Sequence, residues 1–124
     1  MHSIASILVV DNNTEALKTF TRLFRALGVK NICQAASAET ALEILKTRTF
    51  AVILCDYRLE GMDGVEFVGE LRTQGNPTPV VIVSGAPDKA GVIGARHHQN
   101  VDFFGKPFRA EELVKAMEKL AEAA

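Results

Sequence analysis

Short apolar runs alternate with amphipathic stretches along the whole chain. Ile7-Leu8-Val9-Val10 is an unbroken apolar run that ends in Asp11-Asn12-Asn13-Thr14. Leu17, Phe20, Phe24 and Leu27 then recur at helical spacing, and Gly28 predicts the stop. Asn31 to Ala35 suits a second strand, and Ser37 an N-cap for a helix carrying Ala41, Leu42 and Leu45. Ala51-Val52-Ile53-Leu54-Cys55 is a third run, ending at Asp56, with Gly61 and Gly64 punctuating the loop after it. Val65, Val68 and Leu71 predict a third helix. Val80-Val81-Ile82-Val83 follows Pro77 and Pro79 and ends at Ser84-Gly85. A weaker helical stretch runs from about Asp88 to His98, then a strand from Val101 to Phe104 ending at Lys106-Pro107, then a helix with Leu113, Met117 and Leu120.

Strands of unbroken Val, Ile and Leu are buried on both faces, as in a parallel sheet covered by helices. Five strand–helix units predict an α/β layered domain with right-handed crossovers. In such sheets the working site lies beyond the carboxyl ends of the strands. The residues at those ends are Asp11, Asp56, Ser84 and Lys106. Four strands thus deliver two carboxylates, a hydroxyl and an ammonium to one edge.

That inventory suits phosphoryl chemistry. Carboxylates hold a hard cation such as Mg²⁺ through oxygen, and a carboxylate can itself be the nucleophile, giving an aspartyl phosphate. Lysine places a point charge on phosphate oxygens, and a Ser hydroxyl donates to another. Phosphoryl transfer needs mainly positioning and charge stabilisation. Taken singly, each residue has a plainer use: Asp11 as a cap or turn former, Ser84 as a turn residue, Lys106 as a solvated charge. Their convergence on one edge carries the functional reading. The phosphate-binding loops G-x-x-x-x-G-K-[ST] and G-x-G-x-x-G after the first strand are absent, as is the G-x-S-x-G elbow.

Composition narrows the setting. With 124 residues, one domain over 1–124 with a single core is expected. A net charge of −1 argues against direct nucleic-acid binding. No apolar run reaches the ~20 residues of a membrane span, and two distant cysteines, Cys33 and Cys55, fit reduced thiols and a cytoplasmic location.

Ile-Leu-Val-Val-Asp11, the segment Cys55-Asp56-Tyr57-Arg58-Leu59-Glu60-Gly61-Met62-Asp63-Gly64, then Val83-Ser84-Gly85 and Lys106-Pro107-Phe108 together resemble the receiver domain of two-component response regulators, of the chemotaxis-regulator type. The resemblance covers nearly the whole chain. It implies a flavodoxin-like (βα)5 three-layer sandwich whose parallel five-stranded sheet has the order 2-1-3-4-5, a topology for which this family is a standard example. It implies Asp56 as phosphoacceptor, with Asp11, Asn12, Asp56 and the backbone carbonyl of Arg58 as the Mg²⁺ site. Ser84 and Lys106 would contact the phosphoryl group, Phe103 would be an aromatic switch responding to Ser84, and the Lys106–Pro107 peptide would be cis. Plain strand packing is the competing reading for Phe103. The implied donor is a sensor histidine kinase or a histidine phosphotransfer protein. The output is a downstream protein target or an output domain outside this sequence, and phosphorylation-dependent homodimerisation is a further option. The chain would be no enzyme beyond its own phosphotransfer and dephosphorylation.

One position departs from the pattern. The family usually carries a second acid after the first strand; here it is Asn12. Two carboxylates, Mg²⁺ and Lys106 sum to a formal +1 instead of zero, which predicts weaker metal binding before phosphorylation. A phosphorylation-independent, pseudo-receiver binding module is therefore the alternative. A flavin carrier on the same sheet is a third reading, for which Asp11-Asn12-Asn13-Thr14 is a poor phosphate loop.

Overall fold

The computed structural model describes residues 4–85, 94 and 98–123. Strands β1 (Ser6–Val10), β2 (Asn31–Ala35), β3 (Val52–Asp56), β4 (Val80–Ser84) and β5 (Val101–Gly105) form one parallel sheet in the order β2-β1-β3-β4-β5. Helices α1 (Thr14–Ala26), α2 (Ala38–Leu45), α3 (Gly64–Thr73) and α4 (Ala110–Ala123) cover it. This is the flavodoxin-like arrangement. The Asp88–His98 helical stretch expected from the sequence lies outside the described residues, Gly94 and His98 apart.

The two-residue period of the strands divides the core into two halves. Leu8, Val10, Ile53, Cys55 and Ile82 face α2 and α3, where they meet Ala41, Leu45, Phe67, Val68 and Leu71. Ile7, Val9, Leu54, Val81 and Val83 face α1 and α4, where they meet Leu17, Phe20, Phe24, Leu113 and Met117. Burying each such side chain is worth about 1.5–3 kcal/mol, which is why every central strand reads as continuous apolar sequence. No described helix is long and apolar enough to cross a membrane.

Local signals set the helix ends. Asn13 caps α1, its Oδ1 accepting from the N–H groups of Glu15 and Ala16 at 2.9 and 3.1 Å. Ser37 caps α2 as expected, accepting from Thr40 N at 3.1 Å. Gly28, at φ +93°, ends α1 in the left-handed region. Leu27 does not serve as the core residue its spacing suggested. It is the C-cap of α1 and 41% exposed, and Val29 is buried after the turn.

Candidate functional site

Asp11, Asp56 and Ser84 follow or end strands β1, β3 and β4, and Lys106 follows β5, so the sheet brings all four to its carboxyl edge. Asp56 and Lys106 are in direct ionic contact, with Lys106 Nζ 3.6 Å from Asp56 Oδ1. The Asp56 side chain is only 16% exposed, whereas that of Lys106 is 38% exposed. A carboxylate in a partly dry recess thus faces a more exposed cation.

Asp11 is 2% exposed. Its Oδ1 accepts from Asn13 N–H at 2.9 Å, and its own N–H donates to Ala35 O at 3.1 Å. Burial pushes the Asp11 carboxyl above its ordinary value. The Asn13 N–H opposes that rise, the charge on Asp56 adds to it, and Lys106 lowers it. Asn13 takes the cap of α1, while Asp11 forms the turn that leads into it through its bond to Asn13 N–H. Asn12 is exposed between them. Among the described residues no three acidic, imidazole or thiol groups converge. Asp11 and Asp56 are the carboxylates of the edge, near enough for the charge of Asp56 to act on Asp11.

The loop after Asp56 is tightly determined. Tyr57 N–H donates to Val83 O at 2.8 Å, and Gly64 N–H to Tyr57 O at 2.7 Å. Arg58 and Asp63 form an antiparallel bridge across the turn, and Gly61 takes φ +85° within it. Asp63 and Glu66 form a capping box at the start of α3, at 2.8 and 3.2 Å. A Cβ at Gly64 would stand 3.1 Å from Asp56 O and 3.2 Å from Tyr57 Cα. The Asp63-Gly64 pair thus caps a helix whose first residue packs on the backbone of Asp56. Sequence reading treated Gly64 only as loop punctuation.

Ser84 is 1% exposed, and its carbonyl accepts from Lys106 N–H at 2.7 Å. The end of β4 is therefore bonded to the residue that contacts Asp56. The Lys106–Pro107 peptide is cis. Phe103 is half-buried on β5, its ring centroid 5.7 Å from that of Tyr57 with the planes at 59°. Phe104, on the other face, meets Phe108 edge-on at 6.3 Å. Cys33 and Cys55 are both free, on strands separated by β1.

Arg72 is a residue that sequence reasoning missed. Its guanidinium donates to the carbonyls of Asn76, Thr78, Gln99 and Asn100 at 2.8–3.4 Å. It ties the end of α3 to the approach to β5. Burial lowers its pKa from the ordinary arginine value. At the sequence level Arg72 reads as a basic residue in a last helical turn, with nothing to announce acceptors 27 and 28 residues away.

Comparison with known proteins agrees with this geometry. Residues 7–118 match the family model of the response regulator receiver domain. The response regulator protein TodT of Pseudomonas putida is 30% identical over 111 residues, which cover 90% of this chain and 48% of that protein. The hydrogenase transcriptional regulatory protein HoxA of Cupriavidus necator is 32% identical over 124 residues, 96% of this chain and 24% of that protein. The chain spans less than half the length of either relative. Among solved structures, the receiver domain of the Francisella response regulator 1452 matches with a TM-score of 0.85 at 26% identity, over 96% of this chain and 98% of that one. The chemotaxis response regulator CheY4 of Vibrio cholerae shares the fold, with a TM-score of 0.82 at 23% identity over 95% of this chain and 99% of that one. With the acid pair, the buried serine and the lysine on one sheet edge and the family match spanning all four, this chain belongs to the receiver domains of two-component response regulators.

Proposed function

We propose that Asp56 is the phosphoacceptor of this receiver domain. The observation that carries the reading is the contact of Lys106 Nζ with Asp56 Oδ1 at 3.6 Å, beside the buried carboxylate of Asp11. The donor is a phosphohistidine of a sensor kinase or of a histidine phosphotransfer protein. An oxygen of Asp56 attacks phosphorus, the new O–P bond forms as the N–P bond of the donor breaks, and the imidazole leaves with the electron pair and takes up a proton. Lys106 balances charge on the acceptor and then on the phosphoryl oxygens, and the Ser84 hydroxyl donates to one of them. The chain has no other substrate in this reading, and its chemistry is its own phosphotransfer and dephosphorylation.

The donor set fits magnesium. It consists of hard oxygens alone, and a divalent cation relieves the repulsion between Asp11 and Asp56 that helps hold the Asp11 carboxyl high. Asp11, Asp56, Asn12 and the carbonyl of Arg58 are the residues that would hold it. When bound, the metal supplies charge neutralisation between acceptor and incoming phosphoryl group. The output runs through the surface around Phe103 on β5 and the exposed side of α4, to a protein target or an output domain of a longer chain.

Asn12, where the family usually has an acid, favours one second reading, a binding module that works without phosphate. Incubation with acetyl phosphate across a magnesium series, read by intact mass with Asp56→Ala as control, separates the two. A magnesium-dependent gain of one phosphoryl group, absent in the control, is expected. No gain at any magnesium level, followed by failure with a phosphohistidine donor, overturns the acceptor reading.

A further inference from the structure

The two edges of the sheet are protected unequally. Backbone pairing alternates along a strand, so at an edge every second residue turns its N–H and C=O outward. On β5, Lys106 N–H and Asn100 C=O bond to β4, which leaves Phe103 facing outward. That outward N–H is covered by Asp102 Oδ1 at 2.9 Å. On β2, Asp11 N–H bonds to Ala35 C=O, so Ala35 and Cys33 face β1 while Ile32 and Gln34 face outward. Asn31–Ala35 contains no charge and no proline, and no described group accepts from the N–H of Ile32 or Gln34.

The Gln34 carbonyl takes only a long contact from Cys33 Sγ, at 4.0 Å, and a groove of about 490 Å³ runs along this edge, between β2 and α1, with the Gln34 side chain bonded to Leu17 O and Thr21 Oγ1 across its floor. Lys18, Arg22 and Arg25 of α1 line it, and no acidic residue does. Lys18 shares a 3.5 Å bridge with exposed Glu15, while Arg22 and Arg25 have no acidic partner among the described residues. On the opposite face of the sheet, Arg48 reaches Cys33 Sγ at 3.5 Å. Cations therefore stand on both sides of the open strand edge. Lys18 and Arg22, four apart on α1, are separated by about 6 Å along its axis, close to the roughly 6.7 Å between same-face side chains of an extended strand; Arg25, three residues on, adds about 4.5 Å, a shortfall its long side chain spans.

We infer that the β2 edge is a docking site for an extended acidic segment of a partner protein. The segment adds as a further strand on Ile32 and Gln34 and presents carboxylates at alternate positions to Lys18, Arg22 and Arg25. Charge decides against a second copy of this chain. Two copies paired through β2 about an axis normal to the sheet would set both basic stripes on one face. The site lies at the opposite edge from β5 and does not depend on phosphorylation of Asp56.

The test is an amide-resolved NMR titration of the full chain with a capped peptide of alternating Glu and Val. Expected are shifts and about tenfold slower exchange at the Ile32 and Gln34 amides. Binding should weaken roughly tenfold in the exposed double variant Arg22→Gln/Arg25→Gln and fall with salt. A peptide N-methylated at alternate residues, which cannot form the strand bonds, should lose binding without any change to the protein. The proposal is overturned if millimolar peptide leaves Ile32 and Gln34 unperturbed. It is equally overturned if the N-methylated peptide binds as well, or if a single-stranded DNA protects the same amides as strongly.

Discussion

Replacing Asn12 by Asp restores the acid that the family usually carries and should move two properties in opposite directions. Asn12 is exposed beside the buried Asp11, so a new charge there interacts mostly through solvent. A unit charge and a divalent cation about 4 Å apart attract by about 2 kcal/mol in water, more where the medium is drier. Asn12→Asp should therefore tighten Mg²⁺ binding by roughly 30-fold. Without metal the sign reverses. The described site already carries Asp11 and Asp56 against Lys106, a net −1, and burial and Asp56 both raise the Asp11 carboxyl. A third carboxylate adds about 1 kcal/mol of repulsion, a fall in Tm of about 3–5 °C for a domain of this size. Tyr57 is the chain's single tyrosine, there is no tryptophan, and it adjoins Asp56. Its fluorescence reports the magnesium titration, and calorimetry in chelator reports the metal-free Tm. A magnesium Kd unchanged within threefold would show that position 12 does not face the metal. A metal-free Tm that rises would refute the crowding argument, whatever the metal does.

Other outcomes follow from the same geometry. The folded pKa of Asp11 lies above its ordinary value of 3.8, so between the two values the native state holds a proton that the unfolded chain has released. In chelator, the contribution of Asp11 to stability should decline as pH rises through the folded pKa and level off above it. Asp11→Asn should remove that decline and raise the metal-free Tm at neutral pH while weakening magnesium binding. Arg72→Met should cost about 2–3 kcal/mol in denaturant unfolding, because the carbonyls of Asn76, Thr78, Gln99 and Asn100 lose a charged donor. Arg72→Lys, lacking the planar fork, should recover only part. Gly64→Ala must push Asp56 O or Tyr57 Cα aside, at about 1–3 kcal/mol, and should slow phosphorylation from acetyl phosphate more than it lowers Tm. Ser37→Ala removes the α2 cap, at about 1 kcal/mol, and should leave phosphorylation unchanged.

The parts of this molecule legible in its sequence are those fixed by period and by strand ends. Unbroken runs such as Val80–Val83 announce strands buried on both faces, and in a parallel sheet their last residues must share an edge. The positions of Asp11, Asp56, Ser84 and Lys106 followed from that alone. Strand order did not, since nothing in an apolar run says which neighbour it takes; the family resemblance provided it. Leu27 misled because the helical period continues one residue past the backbone that supports it, and Gly28 turns the chain before Leu27 can reach the core. Gly64 and Arg72 were opaque for a common reason. The clearance of a missing Cβ against Asp56 O, and carbonyls arriving from a distant turn, are properties of the assembled fold.

The same contrast bears on how a phosphoryl group on Asp56 would be felt elsewhere. The loop from Tyr57 to Gly64 is held by backbone bonds at both ends, a bridge, a capping box and a glycine packed on the Asp56 carbonyl, so Asp56 itself is poorly placed to move. Lys106 is differently placed. Its ammonium sits on a long side chain 38% exposed to solvent, and its N–H is bonded to Ser84 O. A phosphoryl group on Asp56 would add about two negative charges and would draw on two nearby donors, the Lys106 ammonium and the Ser84 hydroxyl. Because these two residues are bonded to each other, either one pulled inward displaces the end of β5. Phe103 lies three residues back along that strand, with its ring against Tyr57, the neighbour of the acceptor. A firmly held Asp56 and a linked pair of donors would thus direct the change away from β3 and toward β5. On that proposal Phe103, whose packing alone marks it as an ordinary half-buried strand residue, would be the side chain placed to register the charge.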